Sequence, residues 1–145
     1  MERREASELL RRALGIEEPQ PEVQRLCRLW GGMGDVLELR VAGRAPLIAK
    51  RIRMPGKCSS IGDRRKKDSY EVEARFYEGG HAERLLAAGC TLPKPLLVER
   101  KGDGQLTILM EKLDGRNSSM GDAEMRSMLT WLATCVAPLP RLHRA

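Results

Sequence analysis

Apolar and polar residues recur along the chain at spacings that predict short strands and helices. Helical spacing of alanine and leucine predicts a short helix over 4–14, which Gly15 ends. Strand-like runs follow, and Lys101-Gly102-Asp103-Gly104 between the last two is a strong hairpin signal. The five predicted strands cover 23–30, 36–41, 47–53, 96–100 and 105–111.

A longer helix is predicted between the third and fourth strands. Asp68 with Glu71 three residues later is typical of a capping box, so this helix is expected to run from Ser69 to about Glu78. A further turn or two over 82–88 is expected to end at Gly89. The segment before Asp68, opened by Pro55-Gly56, is predicted to be a polar loop. A linker over 114–121 and a last helix over 122–133 complete the pattern.

This element order predicts an α+β fold. The connections are mostly too short for parallel crossovers, so we expect a five-stranded antiparallel sheet with one main helix between strands 3 and 4, plus short N- and C-terminal helices. A chain of 145 residues has room for one modest core. The expected divisions are 1–21, an N-terminal helix and linker; 22–113, the main lobe; and 114–145, a linker and the start of a second lobe.

Composition and charge narrow the functional classes. The net charge of +6 is concentrated in 51–67, which holds seven Lys or Arg residues and the single acid Asp63. Such a segment can contact nucleic acid or anionic lipid, but no aromatic residue interleaves its cations, which favours a solvated loop. No signal peptide or bilayer-spanning run is present, so a cytoplasmic protein without a membrane partner is expected. The four cysteines lack metal-ligand spacing and are expected to be free thiols, most of them packed.

The candidate chemistry begins at Gly31-Gly32-Met33-Gly34, a glycine turn between two predicted strands. Most such turns only close hairpins, but a strand following the turn also fits a lid over ATP phosphates. Lys50 ends an apolar triplet on the next strand and either points inward or is exposed. An inward lysine needs a carboxylate partner, and Glu73 is chosen over Glu71 because the two lie about 200° apart around a helix.

A third candidate is the segment Leu106–Gly115, a predicted strand that runs into a polar connector. Its backbone could bind the edge of an adenine base, although an ordinary edge strand followed by a linker explains the same pattern. The three candidates together are much harder to explain as coincidence than each one alone.

Taken together, these motifs resemble the N-terminal lobe of small-molecule kinases. The motifs that carry the resemblance are Gly-Gly-Met-Gly-Asp-Val at 31–36, Ile-Ala-Lys at 48–50, Ser-Tyr-Glu-Val-Glu-Ala-Arg-Phe-Tyr at 69–77, Leu-Pro-Lys-Pro at 92–95 and Leu-Met-Glu-Lys-Leu at 109–113. The nearest group is the ecdysteroid-kinase-like and choline-kinase-like branch of the aminoglycoside phosphotransferase superfamily, which has a protein-kinase-like fold. The resemblance covers about 25–135.

The resemblance implies roles for individual residues. Gly31, Gly32 and Gly34 would cover the ATP phosphates, and Lys50 would contact them while paired with Glu73. The segment Glu111, Lys112 and Leu113 would be a hinge whose backbone binds adenine, and Met110 would lie at the back of that pocket. The activity implied for a full-length parent is transfer of the ATP γ-phosphate to a hydroxyl of a small molecule.

The family also requires groups that this sequence lacks. The base for the acceptor hydroxyl and the Mg²⁺ ligands lie in a C-terminal lobe, in a His-Gly-Asp-type loop and a later aspartate, and neither motif occurs here. Asp103, Asp114 and Asp122 lie in other motifs. We therefore expect a truncated, catalytically inactive chain with weak or vestigial ATP binding, whose Mg²⁺ belongs only to a full-length parent. A premature stop, a splice product and a gene-model error all explain such an ending.

Two other functions remain open from the sequence. One is a pseudokinase-like regulatory or protein-interaction module. The other, less favoured, is a nucleic-acid-binding module that uses the basic segment 51–67.

Overall fold

A computed structural model describes residues 1–58, 60–102, 104–115 and 121–136. The described residues form four α-helices and five β-strands. They are α1 (Arg3–Leu14), β1 (Glu22–Arg28), β2 (Gly34–Arg40), β3 (Leu47–Arg53), α2 (Ile61–Glu78), α3 (His81–Ala87), β4 (Pro95–Lys101), β5 (Gln105–Glu111) and α4 (Asp122–Val136). A single 3₁₀ turn, Trp30–Gly32, lies between β1 and β2.

The five strands form one antiparallel sheet in the order β1-β2-β3-β5-β4. The prediction of an α+β fold is confirmed. The structure has the antiparallel five-stranded sheet, the main helix between strands 3 and 4, and the two terminal helices. β5 lies between β3 and β4, so the hairpin of β4 and β5 pairs with β3 through its second strand. The linker predicted at 114–121 lies largely outside the described residues.

Helices cover both faces of the sheet. Successive side chains of a strand point to opposite sides, so each strand contributes residues to both of the cores beneath these helices. On one face, Leu9 and Leu10 of α1 pack with Leu39, Ala49 and other residues of the central strands. We call this face the α1 side. On the other, Tyr70 and Ala74 of α2 pack with Ile52, Leu106 and Ile108. This is the α2 side. Alternation in β3 places Lys50 on the α2 side and Arg51 on the α1 side.

The start of α2 differs from the prediction. The helix begins at Ile61, and the Ser60 side chain accepts a hydrogen bond of 3.0 Å from the Asp63 N–H. Asp68, predicted to be the N-cap, is therefore an exposed residue within the helix. The basic residues 64–67, predicted to end a polar loop, form its second turn. Arginine and lysine are good helix formers, so an earlier cap lets the helix start about two turns sooner than predicted.

The end of β1 also differs. The predicted strand reached Trp30, but β1 ends at Arg28 and Trp30 belongs to the 3₁₀ turn. Its side chain is 82% exposed. The structure therefore places an aromatic ring in solvent at the glycine turn, where the sequence predicted the end of a strand.

At the other end of the described chain, α4 packs against the segment before β4. The Trp131 Nε1–H donates to the Thr91 carbonyl at 2.8 Å, and Cys135 is buried in one cluster with Cys90 and Leu92. All four cysteines are free thiols, as predicted, but only Cys90 and Cys135 are buried and Cys27 is exposed. Burial and the neighbouring Cys90 thiol raise the pKa of Cys135 to about 11.

Candidate functional site

Lys50 and Glu73 form the predicted ion pair. Lys50 points from β3 to the α2 side, where its Nζ lies 2.5 Å from Glu73 Oε2. The two side chains are 19% and 28% exposed, so neither is sealed from solvent. The Tyr70 ring centroid is 5.1 Å from the same Nζ, within the range of a cation–π contact. Two neighbours from one face of α2 therefore hold the Lys50 ammonium in place.

Glu71 points elsewhere, as the helical geometry predicted. It accepts a hydrogen bond of 2.9 Å from Arg100 Nη1 on β4, and Arg100 also binds Glu78. The hydrogen bond from Arg100 lowers the pKa of Glu78. Glu71 and Glu78 thus link α2 to β4 at the edge of the sheet, while Glu73 forms the ion pair with Lys50.

The three glycines of the predicted lid have different surroundings. Leu29 N–H donates to the Gly34 carbonyl at 2.9 Å, and Gly32 N–H donates to Leu29 at 3.1 Å, so the turn is internally hydrogen-bonded. A Cβ on Gly34 would lie 1.9 Å from the Arg51 carbonyl oxygen. Gly34 is therefore required by the close contact of β2 with β3, whatever the turn binds. Gly31 lies under the Lys66 ammonium, and Gly32 has open space around it.

A cavity of about 460 Å³ opens beside Lys50, between the segment 27–30, which precedes the glycine turn, and the first half of α2. We call it the lysine cavity. Its volume falls within the range of small-molecule sites. Four of its lining residues are cationic and none is acidic. It is lined by Cys27, Arg28, Leu29, Trp30, Lys50, Arg65, Lys66, Ser69 and Tyr70.

Three of these residues were missed as site residues by the sequence reasoning. Arg65 and Lys66 were assigned to a solvated loop, but on α2 they line the same cavity as Lys50. Lys66 Nζ lies 3.4 Å from Asp63 Oδ1, so its charge is partly paired. Trp30 supplies an aromatic ring that the basic segment itself does not contain. An earlier start for α2 is the sequence signal that could have placed the two cations here.

The predicted hinge lies apart from the lysine cavity. Glu111 N–H donates to the Lys94 carbonyl at 2.9 Å, and Lys112 N–H donates to the Pro46 carbonyl at 3.3 Å. Two of the three N–H groups that the hinge would offer to adenine are therefore engaged. Leu113 is exposed. A cavity of about 260 Å³ beside Glu111 and Lys112 is lined on the α1 side by Leu14, Leu47 and Leu96.

Met110 is buried on the α2 side, in the core that also contains Ile108 and Tyr70. It lies on the same face of the sheet as Lys50, opposite Ile48 of β3.

Of the predicted site residues, only Lys50 lines the lysine cavity; Glu73 pairs with it, and Gly31 lies against Lys66 of the lining. Gly32, Gly34 and the segment 111–113 do not line this cavity.

The side chain of Lys112 has a role that the sequence did not indicate. Its Nζ lies 2.6 Å from Glu38 Oε2, and Arg40 pairs with the other oxygen of this carboxylate. Glu38 is only 1% exposed. Hydrogen bonds from Lys112 and then from Arg40 lower the pKa of Glu38. The Lys112–Glu38 ion pair therefore links the segment that follows β5 to β2.

The described residues include neither a candidate metal site nor a membrane-spanning helix. They contain no group of three or more His, Cys, Asp or Glu side chains that could hold a metal ion. No helix among them is long and apolar enough to span a bilayer. No family model, curated protein or solved structure matches the chain.

Proposed function

We propose that the lysine cavity binds the phosphates of a nucleotide, and that the chain is the ATP-binding lobe of a small-molecule phosphotransferase. The observation that carries this proposal is the Lys50–Glu73 pair, which lies beside a glycine turn and faces a cavity lined by Arg28, Arg65 and Lys66. The motif resemblance supports the same class of protein, with a parent that acts on a hydroxyl of a small molecule.

Each group fits its proposed role. Guanidinium and ammonium groups donate charge-assisted hydrogen bonds to phosphate oxygens. Lys50 is held by Glu73 and Tyr70, so it loses little conformational freedom when a phosphate binds. Arg65 and Lys66 of α2 line the same cavity as Lys50, so a bound phosphate would meet three cationic side chains from two elements.

The proposal covers nucleotide binding and not transfer. The described residues that line the lysine cavity include no carboxylate, so Mg²⁺ does not fit among them, and we assign no step to it. The chain also contains no His-Gly-Asp-type loop to place an acceptor hydroxyl. We therefore expect these residues to bind ATP without phosphorylating an alcohol.

We further propose that the adenine ring of the nucleotide binds at the predicted hinge. With Glu111 and Lys112 N–H groups engaged, Leu113 is the remaining N–H donor of the predicted hinge. Adenine recognition at this segment therefore depends on Leu113 together with backbone carbonyl oxygens, above the buried Met110.

Calorimetric titration of the full chain with ATP, in the absence of Mg²⁺, tests the proposal. We expect saturable binding that Lys50→Met weakens by about tenfold or more, the equivalent of one lost charge-assisted hydrogen bond. Lys101→Met is the control, because Lys101 is an exposed lysine on β4 that does not line the cavity. Equal affinities of the two variants for ATP, or no saturable binding by the wild-type chain, would contradict the proposal.

A second candidate function, binding of single-stranded nucleic acid, is favoured by Trp30. The exposed ring lies in one cavity with Arg28, Arg65 and Lys66, and a ring beside cations is the usual platform for stacked bases. Binding of an oligothymidylate should then fall steeply with salt and be lost in Trp30→Ala. If Trp30→Ala and Trp131→Ala bind the oligonucleotide equally, this candidate is wrong.

A further inference from the structure

A second basic cavity lies on the opposite side of the glycine turn from Lys50. It has a volume of about 220 Å³ and is lined by Arg25, Arg28, Gly32, Gly34, Asp35, Arg51 and Arg53. We call it the arginine cavity. Arg51 reaches Glu5 of α1 at 2.9 Å, which places the cavity on the α1 side of the sheet.

A β-bulge brings two of the arginines to this side. Arg25 pairs with Leu37 and Arg28 pairs with Asp35, and the register shifts between Arg25 and Cys27. In a regular strand, residues three apart point to opposite faces. The extra residue at the bulge instead puts Arg25 and Arg28 opposite two residues that share one face. Bulges are known to re-aim side chains in this way beside functional sites.

The charges of the arginine cavity are incompletely balanced. Four arginines line it, while Asp35 is the only acid among the described residues of its lining and is 3.8 Å from Arg25 Nη1. Glu5 contacts Arg51 from α1. Burial and the positive charge of Arg51 lower the pKa of the Met1 amino group, against the opposite effect of Glu5. The arginine charge is therefore felt beyond the lining residues.

Arg51, which lines this cavity, carries a donor that has no acceptor among the described residues. The Arg51 side chain is 12% exposed, and among the described residues its Nε is buried without a hydrogen-bond partner. A buried unpaired donor of a charged group is costly, since it loses water and gains nothing in exchange. Because Arg51 lines the cavity, an oxyanion bound against its guanidinium would offer an acceptor that the described residues do not.

We propose that the arginine cavity binds a phosphate or diphosphate group carried by a small molecule. Guanidinium groups match the geometry of phosphate oxygens and bind them through paired N–H donors. A cavity of about 220 Å³ is below the usual range for whole drug-sized ligands, which favours a compact group of this kind. The site shares Arg28 with the lysine cavity but lies on the other side of the sheet, and it does not depend on the function proposed for that cavity.

The test uses the full chain with pyrophosphate as the probe. In ¹H–¹⁵N spectra, the Arg51 Nε–H resonance should shift on titration, because an anion bound to this guanidinium changes the environment of its Nε–H. Arg25→Gln with Arg53→Gln should weaken the titration followed at this resonance by about tenfold or more, since two exposed donors are lost. The charge-matched control is Arg44→Gln with Arg64→Gln, which removes two exposed cations that do not line the cavity.

Lys50→Met separates this proposal from the nucleotide site. The Arg51 Nε–H titration should be unchanged in that variant, whatever happens to its ATP binding. An unshifted Arg51 resonance in the wild-type chain would overturn the proposal, and so would an equal loss in the two double variants, which indicates diffuse charge attraction. Vesicles of phosphatidylserine in phosphatidylcholine test a lipid source. Cosedimentation that is lost only in Arg25→Gln with Arg53→Gln would overturn the assignment to a small molecule.

Discussion

At the scale of single residues, Gly34 is the glycine of the turn that the fold cannot replace. Its φ is +141°, and a Cβ there would overlap the Arg51 carbonyl oxygen at 1.9 Å. We expect Gly34→Ala to lower the free energy of unfolding by about 3 kcal/mol or more, from backbone strain and forced separation of β2 and β3. Urea denaturation measures this loss.

The matched control for Gly34 is Gly32→Ala in the same turn. Gly32 also has a positive φ, +70°, but nothing lies within 4 Å of its would-be Cβ. Its substitution should cost only the left-handed conformation, about 1 kcal/mol. Similar losses in the two variants would show that the close approach of β3 is not what requires Gly34.

Glu38 makes the stability of the folded protein depend on pH. Hydrogen bonds from Lys112 and Arg40 lower the pKa of Glu38 from its ordinary value of 4.5. A carboxylate with a lowered pKa in the folded state stabilises the protein above its unfolded pKa, and this contribution is lost as the pH falls through the folded value. Glu38→Gln should therefore lower the melting temperature at pH 7, and the gap from wild type should narrow below about pH 4.5.

The control for this pH dependence is Glu18→Gln, because Glu18 is exposed. Its melting temperature should follow that of wild type across the same pH range. A gap for Glu38→Gln that stays constant down to pH 3 would mean that the variant acts through packing and not through the lost charge.

At the scale of the elements, the start of α2 decides which residues face the lysine cavity. The structure caps the helix at Ser60, whereas the sequence predicted Asp68. Ser60→Ala should lower the free energy of unfolding by about 1 kcal/mol, because the Asp63 N–H loses its acceptor. Asp68→Ala should be neutral or slightly stabilising, since alanine is the better helix former within a helix. Urea denaturation followed by circular dichroism compares the two variants, and a larger loss for Asp68→Ala would favour the later start.

The strands could be predicted from the sequence because their signals are local. Alternation and turn residues mark all five, and the helical angle between Glu71 and Glu73 was enough to select the partner of Lys50. The bulge in β1 has no comparable local signal, so the common face of Arg25 and Arg28 could not be predicted. The same holds for Glu38, whose partner Lys112 lies 74 residues away along the chain.

At the scale of the whole molecule, the sheet separates two basic cavities that meet at the glycine turn. Lys50 and Arg51 are neighbours on β3, yet alternation directs them to opposite sides. Arg28, at the end of β1, lines both cavities. Substitution of Arg28 therefore cannot assign a bound anion to either side, and this is why Lys50 and the Arg25–Arg53 pair are the variants that distinguish the two proposals.

The α1 side depends on a helix that contributes its own leucines to the core. Leu10 is fully buried against the sheet, so Leu10→Ala should lower the free energy of unfolding by about 2–5 kcal/mol through lost burial and a residual cavity. Alanine favours helix formation, so the loss measures the docking of α1 and not its helicity. Arg11→Ala, at an exposed position of the same helix, is the control and should change stability by less than about 0.5 kcal/mol. If urea denaturation gives the two variants the same midpoint, α1 does not contribute to the core, and the contact of Glu5 with Arg51 loses its support as well.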